Sequence, residues 1–183
     1  MSIFRPLSYG FLVVLAGCVA SEPEVQPMNF AMQWDQRPEA AAWTTRTVTQ
    51  VTTSPLVQVV PSDITAWCPA YPEQSTTERA AFWAGAMSAI ARYESTWNPA
   101  AKGGRGRYHG MMQISPNTAA SAGCTGNLFN GADNLSCATK IAARQAGSGR
   151  TVGDILGDWG PMHSGEKRAS MAAWTREQSY CKG

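Results

Sequence analysis

At 183 residues the chain has room for one ordinary globular domain and an appendage. Fifteen Lys and Arg against thirteen Asp and Glu leave a net charge of +2, too small to identify a polyanionic partner by itself. The charge is unevenly spread. Residues 19–66 carry five acidic and two basic side chains, whereas residues 67–183 carry twelve basic and eight acidic.

The first eighteen residues hold one cation, Arg5, an apolar run from Phe11 to Leu15, the small residues Ala16 and Gly17, and Cys18. This is the layout of a secretory signal, too short to cross a bilayer as a transmembrane helix. The ending Leu15, Ala16, Gly17, Cys18 also resembles the lipobox of bacterial lipoproteins. That resemblance implies removal of residues 1–17 and lipidation of Cys18 as the mature N-terminus; an ordinary signal peptide that happens to contain a cysteine is the alternative. Acyl chains hold a protein at a membrane surface by about 0.8 kcal/mol per buried CH2 group. Val19 stands where an inner-membrane retention signal would place aspartate, so the expected location is the periplasm, on the outer membrane. An exported protein rarely meets nucleic acid, and none is expected as a partner.

Without Cys18 four cysteines remain, an even number that in an exported protein suggests two disulfides with three possible pairings. The favoured set is Cys124–Cys137 as a local staple and Cys68–Cys181 joining the ends of a domain, each worth roughly 3 to 5 kcal/mol by loop entropy. No C-x-x-C or H-x-x-x-H spacing exists, and His109 and His163 are the only histidines, so neither a metal nor a cofactor is expected.

Residues 18–66 read as a disordered, lipid-anchored tether rich in Pro and Thr, with prolines at 23, 27, 38, 55 and 61 and no sustained period. A tether of this length has a root-mean-square span of roughly 35 to 40 Å. The Thr and Val alternation from Thr44 to Val60 offers a strand instead. From residue 67 to 183 the pattern becomes helical. Ser75 and Glu78 have capping-box spacing, and Trp83, Met87 and Ile90 form an apolar stripe behind them. Ser115 and Pro116 predict a short helix ending at Gly123, and another is expected from Asn134 to Ala146. Thr151 caps a fourth, with Val152, Ile155, Leu156 and Trp159 on one stripe, and a last helix covers Gly165 to Gln178. No alternating strand is evident beyond residue 67, which makes the domain mainly α.

Four residues past Ile90, the first stripe reaches Glu94. A carboxylate at the C-terminal end of a helix, on its buried face, has its pKa raised by desolvation and by the negative end of the helix dipole. A carboxyl kept protonated near neutral pH is what a general acid for glycosidic cleavage requires. Position alone equally allows an outward-facing glutamate paired with Arg92 or Lys102.

Two segments break that tie. Glu94, Ser95, Thr96, Trp97, Asn98 and Pro99 are followed by a Gly-rich loop, then by Gly110, Met111, Met112, Gln113, Ile114, Ser115 and Pro116. This order resembles the lysozyme-like lytic transglycosylases of the soluble-lytic-transglycosylase (SLT) type: a helix ending in Glu-Ser, an aromatic with Asn-Pro, and a Gly-x-Met-Gln-Ile segment. The nineteen positions from Glu94 to Gln113 are close to the family spacing, and Asn134 with Leu135 matches its Asn-hydrophobic pair. The similarity covers roughly residues 75–162. Ser115 replaces a usual methionine, and the family's Ala-Tyr-Asn motif is missing, its nearest counterpart being Asp158, Trp159, Gly160 and Pro161. Tyr93 or Tyr108 offers a substitute hydroxyl.

The resemblance implies a lysozyme-like fold acting on peptidoglycan glycan strands. Glu94 would protonate the oxygen between N-acetylmuramic acid and N-acetylglucosamine, then remove the C6 hydroxyl proton as a 1,6-anhydro ring closes. Ser95, Tyr108, Gly110, Met112, Gln113, Ile114, Asn134 and Trp159 are the expected substrate-binding set. No Asp or Glu lies between Glu94 and Asp133, so the second carboxylate of a typical glycosidase is missing from the segment that commonly supplies it. Asp133, Asp154, Asp158 and Glu166 keep a hydrolytic muramidase open. A non-catalytic wall-binding or assembly lipoprotein is the opposing class, and an envelope-spanning assembly is a conceivable partner. The cations of Lys102, Arg105 and Arg107 would reach anionic stem peptides or simply solvate a mobile loop.

Overall fold

The computed structural model describes Met1 and residues 29–182; Cys18 and the signal segment, Met1 apart, lie outside the described residues. In chain order the helices are α1 (Ala40–Thr52), α2 (Ile64–Trp67), α3 (Thr76–Ser95), α4 (Pro116–Ser121), α5 (Gly131–Gln145), α6 (Val152–Ile155), α7 (Gly165–Arg176) and α8 (Ser179–Lys182). Short 3-10 turns follow α1 and precede α3 and α7. The fold is mainly α, as the helical periods imply. Strand β1 (Lys102–Gly103) and strand β2 (Tyr108–His109) form a two-residue antiparallel hairpin, pairing Lys102 with His109 and Gly103 with Tyr108. Two residues are too few for alternation to register in the sequence.

The centre of the fold is α3. Its capping box is formed: the Ser75 hydroxyl accepts from the Glu78 N–H at 3.3 Å, and the Glu78 carboxylate accepts from the Ser75 N–H at 3.0 Å. Every residue from Ala80 to Ala91 is buried, so the stripe seen in the sequence widens to the whole circumference. A helix buried all round must be walled on every side. Helices α1, α7 and α8 supply walls, and α5 packs on α1. At Gly85 a side chain would collide with the Tyr180 hydroxyl, so glycine there lets α8 close against the helix.

Residues 29–66 form part of this wall, which corrects their reading as a tether and moves the start of the folded domain forward from residue 67. Trp34, Val48, Val51 and Leu56 are wholly buried. The buried positions of α1 are Ala40, Trp43, Thr44, Thr47, Val48 and Val51, a helical period hidden because two of them are threonines. Both hydroxyls are satisfied in place: Thr44 accepts from the Trp34 indole N–H at 2.9 Å, and Thr47 donates to the Trp43 carbonyl at 2.7 Å. The Leu56 carbonyl accepts from both Tyr71 and the Trp83 indole, 3.2 and 3.1 Å away. Burial pushes the Tyr71 hydroxyl up to about 12. Any tether is therefore confined to residues before 29.

Both expected disulfides are present. Cys68–Cys181 joins the chain near α2 to α8, with Cα atoms 4.5 Å apart, and Cys124–Cys137 ties the α4–α5 connection to α5 at 5.2 Å. Beside the first, Tyr180 donates to the Ala31 carbonyl at 3.1 Å and meets the Phe30 ring edge-on. Helix α5 begins three residues earlier than the sequence pattern predicts. Asn130 caps it by accepting from the Asp133 N–H, which leaves Asn134 inside the first turn, facing the core. The fourth expected helix is a single turn, α6, closed by a capping box of Thr151 and Asp154.

The burial of residues 29–66 gives a direct test. Each fully buried large apolar side chain is worth about 1.5–3 kcal/mol, and a domain is stable by only about 5–15 kcal/mol. A chain beginning at residue 67 should show no cooperative thermal transition by circular dichroism, whereas one beginning at residue 29 should melt sharply. Equal melting temperatures would contradict this packing.

Candidate functional site

Helix α3 ends abruptly at Ser95. Thr96 and Trp97 both take left-handed backbone conformations, φ 53° and 56°, uncommon for residues with a side chain. The Trp97 indole N–H donates back to the Ser88 carbonyl at 2.9 Å, fixing the reversal. The Ser95 hydroxyl donates to the Met111 carbonyl at 2.8 Å and accepts from the Asn98 N–H, so it ties the helix end to the returning segment.

That segment, residues 110–114, hangs on one buried amide. The Asn134 carbonyl oxygen accepts from the Met112 N–H at 2.8 Å, and its NH2 donates to the carbonyls of His109 and Leu128, both at 3.0 Å. At Gly110, φ is +74°, and a side chain would strike the Leu128 carbonyl and the Asn134 amide. Gln113, also left-handed, donates to the Gly110 carbonyl at 2.8 Å. The Trp159 indole N–H donates to the Met112 carbonyl at 3.0 Å and holds the opposite side.

Between these elements lies a cavity of about 370 Å³ lined by Glu94, Gly104, Tyr108, Gln113, Asp158, Trp159 and Gly160. Glu94 is half-buried, and burial raises its carboxyl above the ordinary glutamate value, partly offset by the positive charge of Lys167. Lys167, on the first turn of α7, sits over the Tyr93 ring at 5.2 Å. Among the described residues none hydrogen-bonds to the Glu94 carboxyl, so it is available to a ligand. A carboxyl in this state can donate a proton to a bound oxygen and, once ionised, accept another.

Of the expected binding set, Tyr108, Gln113 and Trp159 share this cavity with Glu94. The others stand behind it. Met112 and Asn134 are sealed from solvent, Gly110 and Ile114 are buried, and the Met112 N–H and the Asn134 amide hold the wall by hydrogen bonds. Ser95 faces the Met111 carbonyl in the same supporting role. Trp159 is only 4% exposed, leaving little of its ring open to the cavity. Tyr108, at 41%, is the most exposed large side chain of the set. Gly104 and Lys167 were not foreseen as site residues, whereas Gly160 lies in the counterpart of the missing motif. Glycines in irregular loops carry no distinguishing signal, and Lys167 reaches Glu94 only through the packing of α7 on α3. Asp158, one of four acidic candidates, is the one that lines the cavity.

Residues 72–154 match the family described as the transglycosylase SLT domain. Among solved structures, wild-type Bd0314 DslA is similar with a TM-score of 0.69 at 24% identity, covering 84% of this chain and 98% of that one. Two Glu-to-Gln variants of DslA give TM-scores of 0.71 and 0.70 at 25% and 24% identity. These cover 84% and 85% of this chain and 98% and 100% of theirs. Such coverage exceeds what residues 67–183 alone would provide, so the shared fold takes in the wall built by residues before 67. Comparison with curated proteins gives no match. Over residues 72–154, then, the chain is similar to the transglycosylase SLT domain, and over most of its length it shares the fold of these structures.

Proposed function

We propose that the chain is a peptidoglycan lytic transglycosylase in which Glu94 serves alone as acid and then base. The observation that carries this reading is the half-buried Glu94 carboxyl, held toward its protonated form and unpaired with any described residue, at the wall of a cavity beside an exposed tyrosine ring. Glu94 donates its proton to the bridging oxygen between N-acetylmuramic acid and N-acetylglucosamine as the bond to C1 of the muramic acid breaks. The resulting carboxylate takes the proton of that sugar's C6 hydroxyl while its oxygen bonds to C1. Glu94 is thereby reprotonated and no water is consumed. The exposed Tyr108 side chain offers apolar surface to a sugar ring, and Gln113 and Trp159 bound the site. The export signal and the two disulfides support a periplasmic enzyme, and the lipobox supports anchoring through Cys18 to the outer membrane.

One observation favours a second reading. Asp158 lines the same cavity, and a second carboxylate is what a hydrolytic muramidase needs to activate water. Mass spectrometry of soluble products released from purified peptidoglycan separates the two. Anhydromuramic ends, lighter by one water, are expected; reducing muramic ends would replace the transglycosylase with a muramidase. No product from folded protein would favour a wall-binding lipoprotein.

The acid role fixes a pH dependence. Glu94 must be protonated to act, so kcat/KM should fall as pH rises through its pKa. Lys167 favours the anion, so Lys167→Met should raise that pKa and move the alkaline limb to higher pH. A limb that stays in place, or shifts downward, would argue against Glu94 as the acid.

Linkage gives the same carboxyl a second signature. With its folded pKa above the unfolded one, the folded state binds more protons between the two values, and stability is lost as pH rises through that window. Glu94→Gln should therefore raise the melting temperature at neutral pH but have little effect below the ordinary carboxylate range, while cleavage falls by at least about 10²-fold, the usual scale of general acid–base catalysis. Retained cleavage would remove Glu94 from the mechanism.

A further inference from the structure

The two disulfides sit in different surroundings. Cys68 and Cys181 are wholly buried, whereas Cys124 is partly exposed and, with its 2% exposed partner Cys137, lines a pocket of about 150 Å³. Two cations, Arg46 on α1 and Lys140 on α5, line the same pocket, and among the described residues no carboxylate does. Arg46 is held by its Nε, which donates to the Ser136 hydroxyl at 2.9 Å, and Lys140 by its Nζ, which donates to the Gly123 carbonyl at 2.8 Å. Neither forms an ion pair among the described residues. A disulfide is opened by a thiolate, an anion that must reach one of the two sulfurs. Burial denies that approach to Cys68–Cys181. At Cys124 it is open, from a pocket whose two positive charges attract the incoming thiolate and stabilise the one that leaves.

What the bond encloses ties it to the Glu94 cavity. The chain between Cys124 and Cys137 contains Leu128, Phe129 and Asn134. Leu128 gives its carbonyl to the Asn134 amide, Asn134 accepts from the Met112 N–H, and Phe129 stacks on His109 with ring centres 4.6 Å apart. Lys102 lies over the same Phe129 ring at 5.3 Å, so each strand of the hairpin sets a side chain against it. Residues 122–130 belong to no helix or strand, and the disulfide closes them onto α5. The segment that braces the Tyr108 hairpin and the Met112 backbone is thus the one that Cys124–Cys137 holds in place.

We propose that Cys124–Cys137 is a thiol-exchange site, opened by a dithiol reductant that Arg46 and Lys140 draw in, and that its opening loosens the wall of the Glu94 cavity. Cys68–Cys181 stays closed. A thiolate of the reductant attacks Cys124 Sγ, forming a mixed disulfide and releasing Cys137 as the thiolate. The reductant's second thiol loses its proton and attacks its own sulfur in that mixed disulfide, which releases Cys124. The protein disulfide gains two electrons and two protons, and the dithiol becomes a disulfide. None of these steps depends on the reaction at the Glu94 cavity.

The test incubates the full oxidised chain with increasing dithiothreitol for a fixed time, blocks free thiols with iodoacetamide and locates them by peptide mass spectrometry. Cys124 and Cys137 should be labelled at a concentration at least about tenfold below that needed for Cys68 and Cys181. Arg46→Gln combined with Lys140→Gln should slow that labelling by about threefold or more, the scale of exposed charge interactions. Hydrogen exchange then reads the wall. In the chain reduced only at Cys124–Cys137, the His109, Met112 and Ile114 amides should exchange about tenfold or more faster than in the oxidised chain. Cys124→Ser with Cys137→Ser should show the faster exchange with and without reductant; if that variant does not fold, the selectively reduced wild-type chain gives the same reading. Labelling of Cys68 and Cys181 first or together with the other pair would overturn the site. Labelling that ignores the loss of both cations, or wall amides that exchange no faster after selective reduction, would overturn it equally.

Discussion

A helix buried on every side governs this structure. From Ala80 to Ala91 no position of α3 reaches solvent, which no single sheet or helix laid against one face can achieve. The chain answers from both ends: residues 29–66 close one flank with Trp34, Val48, Val51 and Leu56, and α7 with α8 close another. Tyr180 and the Cys68–Cys181 disulfide then fasten the C-terminal flank to residues on the N-terminal side. The consequence for chemistry is positional. Glu94 lies on the last turn, where the enclosed part of the helix gives way to a cavity, so its carboxyl is half desolvated and still accessible.

The rest of the site is a matter of keeping an irregular chain in one shape. The return from Thr96 to Ile114 contains few regular hydrogen bonds of its own and three left-handed residues with side chains besides its glycines, Thr96, Trp97 and Gln113, with Arg105 a fourth in the hairpin. Such backbone persists when its surroundings over-determine it. Asn134 does much of that work, spending its whole amide on three backbone partners, while Ser95 and Trp159 hold the carbonyls of Met111 and Met112 from opposite sides. These hydrogen bonds fix the backbone behind the cavity that Glu94, Tyr108 and Gln113 share.

What could be read beforehand, and what could not, follows from the range of the interactions. Capping boxes are local, and those at Ser75 and Thr151 announced their helices; the burial of Glu94 followed from a stripe of four residues on one helix. The disulfides followed from parity and spacing. Helix α1 escaped because its buried face includes Thr44 and Thr47, polar in any sequence scale and tolerable in the core only because each finds its partner within ten residues. Asn134 looked like a helix start because asparagine favours caps, yet Asn130 takes that role and frees Asn134 for the core. Lys167 acts on the Glu94 charge through the packing of α7 on α3, and no spacing in the chain encodes it.

The account turns on whether partial burial keeps Glu94 protonated where an ordinary glutamate is ionised. The most direct measurement is an NMR titration of carboxyl-labelled glutamate in the folded chain, with the Glu94 resonance identified by its loss in Glu94→Gln. A midpoint clearly above that of an exposed glutamate is the predicted result. A midpoint at or below it would mean that Lys167 outweighs desolvation, and that Glu94 is an anion for which this mechanism has no use.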